Sequence, residues 1–239
     1  MPTVALDTTN LLTAIPGLLG FLPEQSLVVL AFDEDSSIAV TARHDLLLDA
    51  DGEPTADMWE TMASIGLVCE RDGALGAVGV VVDNRYGLPS PVYRRVLADL
   101  DDALIAAGVP GGVRAGFVVE RFAAGMPWYT ALWAMAGRGP TGADPDVPGS
   151  LGLADGGFGC GLLADPQSSP VALERSLRTG RVVMASRSEM YACLATTEHC
   201  VDGACGGRPR RIRPTTTAAG RTKLLRAALK LLTGPAVPE

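Results

Sequence analysis

Two apolar runs constrain this chain more than anything else in it: SLVVLAFD at 26–33 and ALGAVGVVVD at 74–83. Both are short and aliphatic, and neither alternates with polar residues. That pattern reads as a strand covered on both faces. Strands of this kind need helices laid over the sheet, which sets the fold class as α/β.

The flanking segments supply those helices. Residues 11–22 place Leu11, Leu12, Ile15, Leu18 and Leu19 at near-helical spacing, with Thr8, Thr9 or Asn10 as the cap. Pro16 predicts a break there and Pro23 the stop. Residues 34–37 read as a turn, and 38–44 as a second strand antiparallel to the first. A helix follows through Met58, Met62 and Ile65 to about Glu70, capped by Thr55 or Asp57 and ended by Asp72-Gly73. Gly76 and Gly79, inside the second apolar run, predict the close approach of a helix. Pro91 opens the most regular helix, with Val92, Val96, Leu97, Leu100 and Leu104 on one face and Gly108 past its end. Residues 113–120 form the next strand. A hairpin followed by α-β-α-β favours a mixed sheet of at least four strands.

Beyond residue 121 the pattern weakens. Trp128, Tyr129 and Trp133 gather much of the aromatic mass, and the Gly-, Pro- and Asp-rich stretch to 161 reads as one long irregular loop. Helices are expected at 170–180 and 186–194, around a short apolar element at 182–185. The second of them opens on a capping box, Ser186 with Glu189. Residues 203–219 read as linker and 221–232 as an amphipathic helix, with Leu224, Leu225, Ala228 and Leu232 opposite Lys223, Arg226 and Lys230. The organisation is therefore one α/β domain at 1–206 and a basic linker and helix at 207–239.

Totals agree with that reading. The 239 residues are 47% apolar, 20% charged and only 5% aromatic, which suits a globular core of Leu, Val and Ala. The net charge of −7 is uneven: residues 208–239 hold eight basic groups and one acid, leaving 12 basic against 26 acidic groups in the rest. So acidic a body repels nucleic acid over most of its surface, while the tail is suited to nucleic acid, to an anionic surface or to docking on the body itself. Neither a signal peptide nor an 18-residue apolar run is legible, and the five cysteines do not form a secreted disulfide framework. Cytoplasmic residence is the expectation.

The stretch Leu11-Leu12-Thr13-Ala14-Ile15-Pro16-Gly17-Leu18-Leu19-Gly20-Phe21-Leu22-Pro23-Glu24-Gln25-Ser26-Leu27-Val28-Val29-Leu30 resembles the opening of an actinobacterial family catalogued as DUF4192, a domain of unknown function. Ala42-Arg43-His44-Asp45-Leu46 is similar to the Ala-Arg-x-Asp-Leu that ends the family's second strand. Trp128-Tyr129 resembles its aromatic segment, and Ser186-Arg187-Ser188-Glu189 its C-terminal block. The likeness covers roughly residues 8–195 and leaves 208–239 outside. Family members often carry Cys-Pro pairs after the aromatic segment; here Cys160 stands without that pattern. The resemblance brings no activity with it.

Specific chemistry is sparse. No phosphate-binding G-x-x-x-x-G-K-[ST] is present, and Gly157-x-Gly159-x-Gly161 follows a loop rather than a strand. Cys193, His199, Cys200 and Cys205 have the ligand chemistry for zinc, but His199 and Cys200 are adjacent and no C-x-x-C knuckle exists. No metal and no cofactor are expected. A G-x-S-x-G elbow is missing, and a nucleophile's partner must be His44 or His199, of which His44, at a strand end between Arg43 and Asp45, is the positioned one.

The more informative set lies at strand ends, where open α/β sheets bind ligands. Arg43, Asp45, Asp83, Asn84 and Arg85, with Glu120-Arg121 after another strand and Trp128 and Tyr129 nearby, frame a small polar site. The competing reading of the same residues is a structural Arg43–Asp45 ion pair beside an aromatic mini-core. Three functions follow as expectations: a non-enzymatic protein binding a partner or small polar ligand; a hydrolase-type enzyme using Asp83, His44 or Asp45; and a nucleic-acid-associated protein acting through residues 208–239.

Overall fold

The computed structural model describes residues 8–87, 89–133 and 159–195. His199, Cys200, Cys205 and the helix expected at 221–232 lie outside the described residues, as does the stretch at 134–158. The element order is α1 (Thr8–Leu19), β1 (Ser26–Phe32), β2 (Ile38–Asp45), α2 (Ala56–Arg71), β3 (Gly76–Val82), α3 (Pro91–Ala106), β4 (Val113–Val119), β5 (Pro127–Trp133), β6 (Cys160–Leu162), α4 (Pro170–Thr179) and α5 (Arg187–Ala195). A 3-10 turn, Pro166–Ser168, precedes α4.

The two apolar runs are neighbours at the centre of a sheet ordered β2-β1-β3-β4-β5-β6. β1 pairs antiparallel with both β2 and β3, while β3 pairs parallel with β4 across the α3 crossover. β2, β3 and β4 therefore run the same way, and their carboxyl ends share one edge. β1 and β3 are buried along their whole length. Alternation sends Leu27, Val29 and Ala31 toward α2 and α3, and Val28, Leu30 and Phe32 toward α1. Each of the Leu, Val and Phe side chains among them contributes about 1.5–3 kcal/mol by leaving water. α4 packs on α1, outside the sheet.

Gly79 does admit a helix: a Cβ there would lie 2.7 Å from Leu97 and 3.2 Å from Leu100 of α3. Gly76 does not; the neighbour its Cβ would meet is the Arg114 side chain of β4. On α3 the face is rotated slightly from the expected one. Tyr93 is fully buried and Val92 only partly, because Ser90 caps the helix and the Tyr93 hydroxyl finds an acceptor at Asp83. Thr55, not Asp57, caps α2 by accepting from the Met58 amide at 3.3 Å.

Two expectations fail. Pro16 does not break α1; it sits buried inside the helix, where one missing amide bond is tolerated. The region after 121 is also not one irregular loop, since residues 127–133 form β5, antiparallel to β4, and 160–162 add β6. Aromatic residues favour a pleated, half-buried surface, and β4 offered an open edge to pair with. Pro127 starts β5, a position that needs no ladder amide. Residues 182–185 form no strand, but Phe21 and Met184 bridge, with Leu22 N donating to the Met184 carbonyl at 2.9 Å.

Cys69 of α2 is fully enclosed between helix and sheet. Burial, and secondarily the charge of Asp72, push its thiol from 9.0 up to about 11. Because the folded value lies above the unfolded one, this stabilising contribution is intact below pH 9 and lost as pH rises toward 11. Iodoacetamide at pH 8 is therefore expected to alkylate exposed Cys160 and spare Cys69 in the native protein, as read by peptide mass spectrometry. Equal labelling of the two would contradict this core.

Candidate functional site

Arg43 and Asp45 close β2 on the α1 side of the sheet, opposite Val28 and Ser26 of β1. The Arg43 side chain is only 10% exposed, and Asp45, at 56%, faces water. Nε of Arg43 donates to Ser26 Oγ at 2.9 Å; Nη2 donates to the Glu24 carbonyl at 3.3 Å and pairs with Asp45 at 2.6 Å. The guanidinium also lies 5.8 Å above the Phe21 ring. Nη1 is buried and has no hydrogen-bond partner among the described residues. His44, the residue between them, points to the opposite face, where Nε2 is 3.5 Å from Thr61 Oγ1 of α2.

At the end of β3, Asp83 has a fully buried carboxylate. Arg85 Nε donates to both its oxygens, at 3.0 and 2.9 Å, and the Tyr93 hydroxyl donates to one at 3.2 Å. Burial first, and the nearby Asp83 charge second among the raising causes, push the Tyr93 phenol up to about 12. Arg85 Nη2 reaches across to the Leu46 carbonyl at 3.2 Å, tying the end of β3 to the chain leaving β2. Asn84 is exposed beside them.

Between these strand ends, the start of α2 and the start of α5 lies an open cleft of about 670 Å³. Arg43, Asp45 and Arg85 line it, with Phe21, Thr55, Asp57 and the Ser186-Arg187-Ser188 turn. The fold thus gathers Arg43 and Asp45, and through Arg85 it brings in Asp83. Trp128 and Tyr129 do not line this cleft. Trp128 is buried in the α1-side core, edge-to-face with Phe117 at 5.8 Å. Tyr129 faces the other side and accepts from the Ser90 amide at 3.1 Å. The aromatic pair is core here. Asp83, His44 and Asp45 also form no shared hydrogen-bonded set: both Asp83 oxygens are taken, and His44 and Asp45 project to opposite faces of β2.

Phe21, Thr55 and Arg187 line the cleft although sequence reasoning left them out of the site, whereas Arg85, which it included, lines the cleft as well. The Asp83-x-Arg85 spacing was a usable signal, and so was the Ser186 box, which fixes where α5 begins. Among the described residues no group of three metal-ligating side chains occurs, and no helix is long and apolar enough to cross a membrane.

A family model described as Domain of unknown function (DUF4192) matches residues 9–234. It runs past residue 195 and takes in nearly all of the basic segment that the motif likeness left outside. No curated protein and no solved structure matches the chain.

Proposed function

This chain belongs to the DUF4192 family, and we propose that it is a non-enzymatic binding protein whose sheet-edge cleft holds a small polar ligand. The observation that carries the reading is Arg43, nine-tenths buried beside the cleft, fixed by three partners and with Nη1 left unbonded among the described residues. A buried donor without an acceptor is costly, and a site that accepts the cost is one where an acceptor arrives. Arg43 and Arg85 present planar guanidinium donors, the geometry that orients a ligand's oxygen acceptors. The cleft's position beyond strand carboxyl ends fits the same reading. Cytoplasmic residence belongs to the proposal, supported by the exposed free thiol of Cys160.

Native mass spectrometry of freshly purified protein, followed by a thermal-shift panel of small polar metabolites, tests it. A ligand at about a hundred times its Kd adds roughly 2.7 kcal/mol, or about 5–10 °C in a chain this size. At least one compound is expected to act this way and to lose its effect in Arg43→Gln. Silence across the panel, with no co-purifying mass, counts against ligand binding.

A further inference from the structure

Independently of any cleft ligand, we infer that residues 221–232 of this same chain dock as a helix in the open groove between α2 and β2. The helix runs parallel to α2, with Arg221 at the groove's acidic end. The groove holds about 590 Å³. Its apolar part is Ala42 of β2, Leu47 just beyond it, and Ile65 and Val68 of α2, while its acidic end is Asp57 and Glu60 of α2. β2 ends the sheet among the described residues, and Ala42, Leu47 and Val68 are only partly buried against the core. Neither acid is in an ion pair among the described residues. Sheets commonly cover an outer strand with a helix, and an apolar groove with a charged end takes an amphipathic one.

Residues 221–232 carry the matching pattern. At about 100° per residue, Arg221, Leu225, Ala228 and Leu232 fall in one stripe with Leu224 beside it, and Lys223, Arg226 and Lys230 turn away. That stripe is basic for one turn and then apolar, as the α2 wall is acidic at Asp57 and Glu60 and apolar at Ile65 and Val68. The two stripes also match in length, since 57–68 and 221–232 each rise about 16 Å as helix. Reversed, the helix would set Leu232 against two carboxylates and Arg221 against Ile65 and Val68. Only the parallel seating pairs charge with charge. The body's field draws the segment in: residues 208–239 hold eight basic groups and one acid, against 12 basic and 26 acidic in the rest. Reach is no obstacle, because α5 begins beside the groove: Asp57 lines both the groove and the cleft that Ser186 borders. The 25 residues at 196–220 span roughly 25–30 Å even as a flexible coil. The family match, running to 234, includes 221–232 in the family's unit.

The test is hydrogen exchange of the full chain, read by peptide mass spectrometry at two protein concentrations, with light scattering to give the mass in solution. Amides of 221–232 are expected to exchange at least about tenfold slower than in a free peptide of that sequence, because an isolated helix so short is marginal. Leu225→Asp, which leaves the sheet untouched, should remove that protection. Glu60→Lys and Arg221→Glu should each lower it about threefold, and the two together should restore it. The amides of β1 and β3, unchanged throughout, serve as the check on the fold. Fast exchange at 221–232 in the wild type, or protection indifferent to Glu60→Lys, overturns the docking. A paired exchange of charges that fails to restore protection overturns the parallel seating, and with it the proposal. Protection seen only at the concentration where light scattering finds dimers seats a second copy's segment in the groove, and overturns docking within one chain.

Discussion

Arg85→Ala is expected to cost the fold about 3 kcal/mol, near the low end for breaking a buried ion pair, and to lower Tm by roughly 6–12 °C. Asp83 has 0% side-chain exposure, and Arg85 is its charged partner, bonded to both oxygens. Without it the carboxylate keeps one hydrogen bond, from Tyr93. The loss stays near 3 rather than 5 because Arg85 is itself 35% exposed, so its removal opens a path for water. Removing the charge as well, in Asp83→Leu/Arg85→Ala, should recover at least half of the loss, since the Tyr93 hydroxyl still accepts from the Tyr86 amide at 3.1 Å. Urea unfolding of the two variants measures both quantities. An Arg85→Ala protein within about 0.5 kcal/mol of wild type would show that Asp83 is not held as an ion in the core.

How legible this architecture was depended on the range of the signal. β1 and β3 were readable because a run buried on both faces has to be aliphatic throughout, so Leu27 to Phe32 and Ala77 to Val82 declare themselves. α2 and α3 were readable from period and caps, both local properties. β5 was not. Its residues, PWYTALW, satisfy the sheet only because β4 lies alongside, and nothing near 127 states that. Pro16 misled for the opposite reason: the local rule against a helical proline is sound, and burial against the sheet overrode it. The site divides the same way. Arg43 and Asp45 meet because two residues apart on one strand face the same side, whereas Arg187 reaches Asp45 from some 140 positions away in the chain. Trp128 looked like a site residue because large aromatics outside regular elements often are; once β5 exists, its inward register makes it core.

Gly17→Val is the second substitution expected to act strongly, with a loss of about 3 kcal/mol, and Gly17→Ala should lose about 1–2. A Cβ at Gly17 would stand 2.7 Å from the Ala172 amide nitrogen and 3.0 Å from the Val171 carbonyl carbon. These are backbone atoms of α4, so no side chain can swing aside; the two helices must part. Alanine gains up to about 1 kcal/mol of helix propensity in α1, which offsets some of the clash, while valine gains less and adds two methyls. The consequence extends beyond stability. α4 leads directly into the Met184 strand-like bridge with Phe21, and from there into the Ser186 turn that borders the cleft. Displacing α4 therefore displaces the α5 amides relative to Arg43. Hydrogen exchange in Gly17→Ala should rise over 170–190 while the amides of β1 and β3 keep their protection. If exchange instead rises evenly through the sheet, α1 and α4 are part of one cooperative core, and the cleft's outer wall is not a separable element.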